Sequence, residues 1–318
     1  MDEAVQRLRA GRLVAFPTET VYGLGANALD AEAVARIFAA KGRPSTNPLI
    51  VHVADTDSVL PLVRKWPDRA SALAQHFWPG PLTLVLPKST AVPDIVTAGG
   101  ATVAVRIPQH PIALQLLRGC GLPIAAPSAN RSEEVSPTTA QHVMDSLGPF
   151  LEDLLVLDGG PCRVGIESTV LDVSRNPPRV LRPGMITSDD LQEWLGDVPN
   201  APKLSDRNGI ARSPGQRARH YAPRMPMMIV PISEVTNTLR SGDGLLSYSS
   251  YQGDAAGVLV AMPDSASAYA ARLYEALRRM DEAGVPRIVV EAPPQSAAWE
   301  AIWDRLRRAA TPGEPANP

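Results

Sequence analysis

The feature that most constrains the fold is the stretch 196–226, where regular hydrophobic spacing stops. Prolines, glycines and basic residues there replace both the alternation typical of strands and the spacing typical of helices. The chain has 318 residues, which is enough for two hydrophobic cores. A break of this length between two patterned regions predicts two domains. Their predicted bounds are 1–196 and 227–311, with a linker over 197–226 and a frayed tail over 312–318.

Short apolar runs alternate with helical patterns on both sides of this break, which predicts an α/β fold. An apolar strand at 13–16 runs into a polar, glycine-containing turn at 17–25, and Asp30 then caps a helix that ends near Lys41. Further strands are predicted at 82–86, 102–107, 123–126, 154–157, 166–173 and 179–181, and helices at 68–77, 111–118, 138–147 and, after a capping box, 187–195. In the second region, strands at 227–232, 257–260 and 287–290 alternate with helices at 266–283 and 297–309.

Charge and cysteine content narrow the class of protein. The net charge of -2 argues against the strongly basic footprint of a domain that binds long nucleic acid, and suits a small anionic ligand better. Cys120 and Cys162 are isolated in sequence, so neither a disulfide framework nor a zinc site is indicated. No apolar run is long enough to span a bilayer, and the first residues lack a secretory pattern. We expect a soluble, cytoplasmic protein without membrane association.

The segment 41–48, Lys-Gly-Arg-Pro-Ser-Thr-Asn-Pro, predicts an anion-binding loop. Its two prolines lack amide donors and push the preceding residues toward extended conformations, so the segment cannot lie inside a helix. We expect this loop to point Lys41 and Arg43 outward. The apolar run 49–53 that follows predicts a buried strand, and loops beside such strands commonly bind phosphate or carboxylate groups.

Strand periodicity places Thr102 and Arg106 on one face of the predicted strand 102–107, opposite to its aliphatic residues. A buried arginine needs an anionic partner. An internal salt bridge to an Asp or Glu and a ligand carboxylate account equally well for this pattern. His52 interrupts another apolar strand, and a lone core histidine is more often held structurally than used as a ligand.

Two further loops have the composition of ligand-binding turns. Ser128 and Asn130 follow the predicted strand 123–126, at the edge where open α/β sheets bind ligands. Ser168 shares a strand face with aliphatic residues. Capping and turn chemistry could explain each serine separately, but their joint occurrence favours a binding site.

Six segments together resemble the YrdC-type threonylcarbamoyl-AMP synthases. They are 16–25 (Phe-Pro-Thr-Glu-Thr-Val-Tyr-Gly-Leu-Gly), 41–49 (Lys-Gly-Arg-Pro-Ser-Thr-Asn-Pro-Leu), 127–130 (Pro-Ser-Ala-Asn), 136–138 (Ser-Pro-Thr), 167–170 (Glu-Ser-Thr-Val) and 181–184 (Leu-Arg-Pro-Gly). Pro214-Gly215 and 220–223 (His-Tyr-Ala-Pro), with the α/β region behind them, resemble the long form of that family. The resemblance implies a YrdC-like twisted mixed sheet flanked by helices, plus a small Rossmann-like α/β C-terminal domain.

The resemblance also implies a nucleotidyltransferase activity. L-Threonine, bicarbonate and ATP would give L-threonylcarbamoyl-AMP and pyrophosphate, for the N6-threonylcarbamoyl modification of adenosine 37 in tRNA. The expected partner is a tRNA threonylcarbamoyl transferase complex that receives the product. Magnesium would be held mainly by phosphate oxygens, without protein metal ligands. The absence of a G-x-x-x-x-G-K-[ST] motif excludes nucleotide binding of the P-loop type.

Carried over by motif, the resemblance assigns residues to each substrate. L-Threonine would contact Thr20, His52, Arg106, Ala126 and Ser168. ATP would contact Lys41, Arg43, Asn47, Thr102, Ser128, Asn130, Ser136, Arg182 and Tyr221. Lys41 and Arg43 would be catalytic by neutralising phosphate charge. Because Tyr221 falls in the linker, we expect the linker to act as a lid, so deleting 209–223 should lower product yield more than threonine affinity.

Three residues depart from the family pattern: Gln216 and Ala218 in the linker, and Glu133 after Ser132. Two other functions stay open on the sequence. One is a double-stranded RNA or tRNA-binding module, for which weak RNA binding would be strongly salt-dependent. The other is carbamoyl transfer to a different amine.

Overall fold

The computed structural model describes residues 1–196, 221–249, 251 and 253–310. The predictions for 197–220, including the lid and the linker positions Gln216 and Ala218, lie outside the described residues, as does the predicted tail. The described chain contains two sheets, one of nine strands and one of four. This mixed α/β architecture confirms the predicted fold class.

The larger sheet contains the first nine strands, which are β1 (Val14–Phe16), β2 (Gly23–Asn27), β3 (Ile50–His52), β4 (Leu82–Pro87), β5 (Thr102–Arg106), β6 (Ile124–Ala125), β7 (Leu155–Val156), β8 (Thr169–Asp172) and β9 (Arg179–Arg182). Their spatial order is β7-β1-β2-β6-β3-β5-β4-β8-β9. The pairs β1/β7, β3/β5 and β4/β8 are parallel, and the other neighbours are antiparallel. The sheet is therefore mixed, as predicted.

Helices flank this sheet. They are α1 (Asp2–Arg9), α2 (Ala31–Lys41), α3 (Asp68–Phe77), α4 (Asp94–Thr97), α5 (Pro111–Cys120), α6 (Ala140–Leu147) and α7 (Ser188–Leu195), with short 3-10 turns at Asp57–Leu62 and Gly148–Phe150. Asp30 caps α2 by accepting hydrogen bonds from two amides, as predicted. Gly42 ends the same helix in the left-handed conformation, at φ 60°. The predicted capping box of α7 is also present.

The turn predicted at 17–25 is wrong in its second half, because Gly23 to Asn27 form β2 antiparallel to β1. Glycine is poor in strand propensity, which hid this strand from the sequence pattern. The close packing of β2 explains why it contains glycine. A Cβ atom on Gly25 would lie 2.8 Å from the Phe16 ring and 2.8 Å from the side chain of Ile124. The strand therefore needs glycine to lie against its neighbours.

The smaller sheet is wholly parallel, in the order β10-β13-β11-β12. Its strands are β10 (Met227–Val230), β11 (Gly244–Ser247), β12 (Val258–Ala261) and β13 (Ile288–Glu291). Its helices are α8 (Ile232–Thr238), α9 (Ala266–Ala283) and α10 (Glu300–Ala309), with a 3-10 turn at Ala297–Trp299 before α10. The sequence pattern missed β11 and α8, since both are short.

The two sheets belong to regions that pack against each other. The core of the smaller region includes Val21, Val135, Ile166 and Tyr221 from the rest of the chain. Gly165 has φ +77°, and a Cβ atom there would lie 2.4 Å from the Cα atom of Ala271 in α9. Among the described residues, no helix combines the length and apolarity that crossing a membrane requires.

Candidate active site

A cavity lies where the ends of several strands of the larger sheet meet the loops that follow them. Of the residues predicted to bind substrates, those that line it are Thr20, Arg43, His52, Arg106, Ala126, Ser128, Ser168, Arg182 and Tyr221. The cavity is thus built from widely separated parts of the sequence. Three guanidinium groups, from the loop after α2, from β5 and from β9, border one space.

Arg106, at the end of β5, is 3 % exposed and is held on three sides. Its Nε donates to the carbonyl oxygen of Gly80 at 3.1 Å, and its Nη1 donates to Oγ1 of Thr20 at 2.9 Å. Its Nη2 lies 2.7 Å from Oε1 of Glu19, which is also buried. The internal salt bridge that the sequence left open is therefore present, so burial alone does not require a ligand anion.

The contact between Arg106 and Glu19 is close in distance but lacks hydrogen-bond geometry. Within the described residues, Nη2 of Arg106 and both carboxylate oxygens of Glu19 have no aligned hydrogen-bond partner. Buried polar groups are normally paired, and leaving one unpaired is costly. Nη2 of Arg106 therefore has a charged neighbour without an aligned hydrogen bond, and Arg106 also lines the cavity.

His52 lies beside Arg106, because β3 and β5 pair in parallel with these two residues opposite each other. Its ring packs edge-on against Phe16, with ring centroids 6.1 Å apart. Burial, and then the charge of Arg106, lower the pKa of His52 to about 3. The imidazole is therefore neutral at neutral pH. Its Nδ1 has no hydrogen-bond partner in the described part of the chain, unlike a histidine held structurally at both nitrogens.

Arg182, on β9, is tied to Ser168 on the neighbouring segment. Its Nε donates to the carbonyl oxygen of Ser168 at 3.1 Å, and its Nη2 donates to the Ser168 hydroxyl at 3.1 Å. That hydroxyl also lies 2.7 Å from Oγ1 of Thr83. Ser168 therefore links a guanidinium to β4 and holds it at the cavity wall.

The prediction that the loop 41–48 points its cations outward is wrong. Arg43 is 7 % exposed and Lys41 is 2 % exposed. The chain curls around Arg43, whose Nε and Nη2 donate to the carbonyl oxygens of Asn47 at 3.2 Å and Pro48 at 2.9 Å. These inward carbonyl acceptors could not be seen in the sequence, since they depend on how the loop closes.

Lys41 reaches under the loop after β6 rather than into the cavity. Its Nζ donates to the carbonyl oxygens of Ser128, at 2.6 Å, and of Asn130. Burial, and then the nearby charge of Arg43, lower the pKa of Lys41 well below its usual value. Its observed role is to hold the loop that carries Ser128 at the cavity.

Five predicted residues do not line the cavity: Lys41, Asn47, Thr102, Asn130 and Ser136. Thr102 lines a separate cavity together with Asp172 and Arg175, although it shares a strand face with Arg106. Asn130 donates to the carbonyl oxygens of Arg131 and Glu134 and so shapes its own loop. Asn47 is buried, and its carbonyl oxygen accepts from Arg43.

Glu167 lines the cavity and was not predicted to have a role. Burial acts to raise its pKa, but Arg305, Arg182 and the Ser136 hydroxyl outweigh burial and lower the pKa of Glu167 to about 2. Its Oε1 accepts from Ser136 at 2.6 Å. Glu19 was missed in the same way. Glu19 lies in the family motif 16–25 and Glu167 in the family motif 167–170. Their places in these motifs were the only sequence signal for a role.

The described part of the chain has no group of three or more His, Cys, Asp or Glu side chains that could hold a metal ion. Glu167, which lines the cavity, and Glu19, which contacts Arg106, both lie against arginines. The protein donor set therefore does not fit a magnesium ion held mainly by side chains.

Comparison with known proteins assigns both regions of the chain. Residues 6–184 match the family model Sua5_yciO_yrdC, described as "Telomere recombination". Residues 186–311 match a model described as "Threonylcarbamoyl-AMP synthase, C-terminal domain".

Curated relatives are similar over nearly the whole chain. The threonylcarbamoyl-AMP synthase of Pyrococcus abyssi is 43% identical over 315 residues, covering 95% of this chain and 91% of the relative. That of Bacillus subtilis is 43% identical over 321 residues, covering 97% and 92%. The crystal structure of P. abyssi Sua5 complexed with L-threonine superposes with a TM-score of 0.90 at 42% identity, covering 97% of this chain and 93% of that one.

Proposed function

The chain belongs to the Sua5/YrdC family of threonylcarbamoyl-AMP synthases, in the long form with a C-terminal domain, and we propose that its cavity is where L-threonine and ATP react. The enzyme makes L-threonylcarbamoyl-AMP from L-threonine, bicarbonate and ATP, for the threonylcarbamoyladenosine modification of tRNA. The observation that supports the site is that Arg43, Arg106 and Arg182 border one cavity.

We propose that L-threonine occupies the side of the cavity formed by Arg106, His52, Thr20, Ala126 and Ser168. Its carboxylate would accept from Nη2 of Arg106, the donor that lacks an aligned partner among the described residues. Neutral His52 lines the same cavity beside Arg106. Because Glu19 lies against the same guanidinium, the carboxylate must share Arg106 with it rather than neutralise a lone charge.

The triphosphate would lie against Arg43 and Arg182, with Ser128 and Tyr221 beside it. The proposed contributions of Asn47, Asn130 and Ser136 are indirect, because these residues do not line the cavity. Lys41 does not line the cavity, and its proposed contribution to ATP binding is to hold the loop that carries Ser128. Thr102 is the proposed ATP contact with the least support, since it lines a different cavity.

The unprotonated amine of threonine attacks the carbon of bicarbonate and water leaves, which gives a carbamate. A carbamate oxygen then attacks the α-phosphorus of ATP as pyrophosphate leaves. No side chain has to change protonation state for this displacement. The residues of the cavity bind the two substrates, orient them and stabilise charge, which are the main contributions in phosphoryl-group transfer.

We further propose that a magnesium ion binds together with ATP. It would be held mainly by phosphate oxygens and water, because the carboxylates near the cavity already lie against arginines. When bound, it supplies neutralising charge to the triphosphate. We also propose that the enzyme acts in the cytoplasm and passes its product to a tRNA threonylcarbamoyl transferase complex.

The test is pyrophosphate release with ATP and bicarbonate, measured with L-threonine, with L-serine and without an amino acid. We expect release that requires the amino acid and bicarbonate, and a threonylcarbamoyl-AMP product identified by mass spectrometry. Pyrophosphate release that is independent of the amino acid would contradict the proposed site and favour carbamoyl transfer to another amine.

A further inference from the structure

The smaller region extends two side chains to the cavity wall. Arg305, on α10, is 1 % exposed, and its Nε donates to Oε2 of Glu167 at 2.8 Å. The hydroxyl of Tyr274, on α9, donates to the same oxygen at 2.9 Å. The other oxygen of Glu167 accepts from Ser136. A carboxylate that lines the cavity is therefore held from both regions at once.

The same two side chains form the surface on which Tyr221 rests. The Arg305 guanidinium lies 5.1 Å from the centre of the Tyr221 ring, and the rings of Tyr221 and Tyr274 are stacked with centroids 5.8 Å apart. Nη1 of Arg305 also donates to the carbonyl oxygen of Pro183, next to Arg182. Three groups on the proposed ATP side, around positions 136, 182 and 221, thus converge on one guanidinium.

The Arg305 guanidinium affects the charge at the proposed triphosphate site, because it pairs with Glu167. Glu167 is ionised, and a carboxylate at the wall of a triphosphate site repels the ligand unless a cation neutralises it. Arg182 also faces the cavity, where the proposed phosphates would use its charge. Arg305 sits behind Glu167, so it can neutralise the acid without occupying the cavity. It does not line the cavity itself.

We propose that Arg305 is a positioning residue for ATP, through which the C-terminal domain completes the nucleotide side of the cavity. It neutralises Glu167 and fixes the Ser136 hydroxyl and the Tyr221 ring. This inference rests on the proposed placement of ATP, and it gives the C-terminal domain a role in substrate binding. L-Threonine, on the Arg106 side, does not depend on this contact.

The test compares Michaelis constants for the two substrates in the full-length enzyme. We expect Arg305→Met to raise the KM for ATP at least about tenfold, since it removes the cation that is hydrogen-bonded to the buried carboxylate of Glu167. The KM for L-threonine should change less than about twofold. In the double variant Glu167→Gln/Arg305→Met neither charge remains, so most of the loss in ATP affinity should be recovered.

Arg287→Met is the matched control. It removes the partly buried ion pair between Arg287 and Asp243, which lies within the smaller region and away from the cavity. We expect it to lower unfolding stability without changing the KM for ATP. An equal rise in that KM for Arg287→Met, or no recovery in the double variant, would overturn the proposal.

Measurements on the wild-type enzyme distinguish a failure of the role of Arg305 from a failure of the proposed function. Threonine-dependent activity in the wild type, together with an unchanged KM for ATP in Arg305→Met, overturns the role of Arg305 alone. Absence of threonine-dependent pyrophosphate release in the wild type overturns the proposed function, and the role of Arg305 with it.

Discussion

At the scale of single residues, two buried polar atoms of residues that line the cavity bear on the proposed binding of L-threonine. Nδ1 of His52 and Nη2 of Arg106 lack aligned hydrogen-bond partners among the described residues. A folded protein normally pairs such atoms, because each unpaired one costs about 1–3 kcal/mol. Both residues line the cavity where L-threonine is proposed to bind, and Nη2 of Arg106 also lies 2.7 Å from Oε1 of Glu19. We expect L-threonine to complete the hydrogen bonding of these two side chains.

The ion pair between Arg106 and Glu19 yields a prediction that separates stability from binding. Arg106→Met leaves Glu19 buried without a cation, so unfolding free energy should fall by about 3–5 kcal/mol. Glu19→Gln/Arg106→Met should regain most of that stability, while threonine-dependent turnover stays at least about 100-fold below wild type. Urea unfolding and pyrophosphate release measure the two effects. Recovery of turnover in the double variant would mean that Arg106 acts only by holding Glu19.

His52 gives a pH prediction whose sign follows from its lowered pKa. The unfolded chain binds a proton near pH 6.5, whereas the folded protein binds one only near pH 3, so stability falls as pH decreases through this window and is constant above it. Between pH 7.5 and 5, wild type should lose about 2 kcal/mol more unfolding free energy than His52→Gln. The control variant His76→Gln keeps His52 and changes a histidine on α3 outside the cavity, so it should still lose more unfolding free energy than His52→Gln over this pH range. Equal losses in wild type and His52→Gln would contradict a buried neutral imidazole.

At the scale of elements, the close contact between the loop at Gly165 and α9 joins the two regions. A Cβ atom on Gly165 would lie 2.4 Å from Cα of Ala271, a backbone atom that cannot move without shifting the helix. Gly160 has a similar φ, +75°, but open space around its Cα. Substitution by alanine would therefore strain the backbone at both positions, but only at Gly165 would the new Cβ atom also clash with a neighbour.

Gly165→Ala should accordingly destabilise the protein more than Gly160→Ala. We expect about 1 kcal/mol for Gly160→Ala, from the left-handed backbone alone, and at least about 2 kcal/mol more for Gly165→Ala. Urea unfolding followed by intrinsic fluorescence measures both. Similar losses in the two variants would show that the contact with α9 is not a tight constraint.

Elements with strong local signals were predictable from the sequence. The bounds of α9 follow from its long hydrophobic period, and the start of α7 follows from its capping box. The glycine-rich strand β2 and the short strand β11 were missed, because neither has the alternating β-branched residues that mark a strand. Tertiary packing, which the sequence pattern does not encode locally, determines both.

At the scale of the whole molecule, the cavity depends on contacts between residues far apart in the chain. The alternation of side chains along the strand 102–107 predicted that Arg106 lies on the face opposite to the aliphatic residues. The motifs predicted most of the residues that line the cavity. The neighbours of those residues were not predictable. Glu19 against Arg106, and Arg305 against Glu167, are pairs whose distance in sequence leaves no local pattern. The inward turn of Lys41 and Arg43 was missed for the same reason.

The most direct test of the account is a crystal structure of this chain with L-threonine and a non-hydrolysable ATP analogue. We expect the threonine carboxylate within about 3.2 Å of Nη2 of Arg106, and phosphate oxygens beside Arg43 and Arg182 in the same cavity. Binding of either ligand elsewhere, for example in the separate cavity lined by Thr102, Asp172 and Arg175, would contradict the central claim that both substrates share one site.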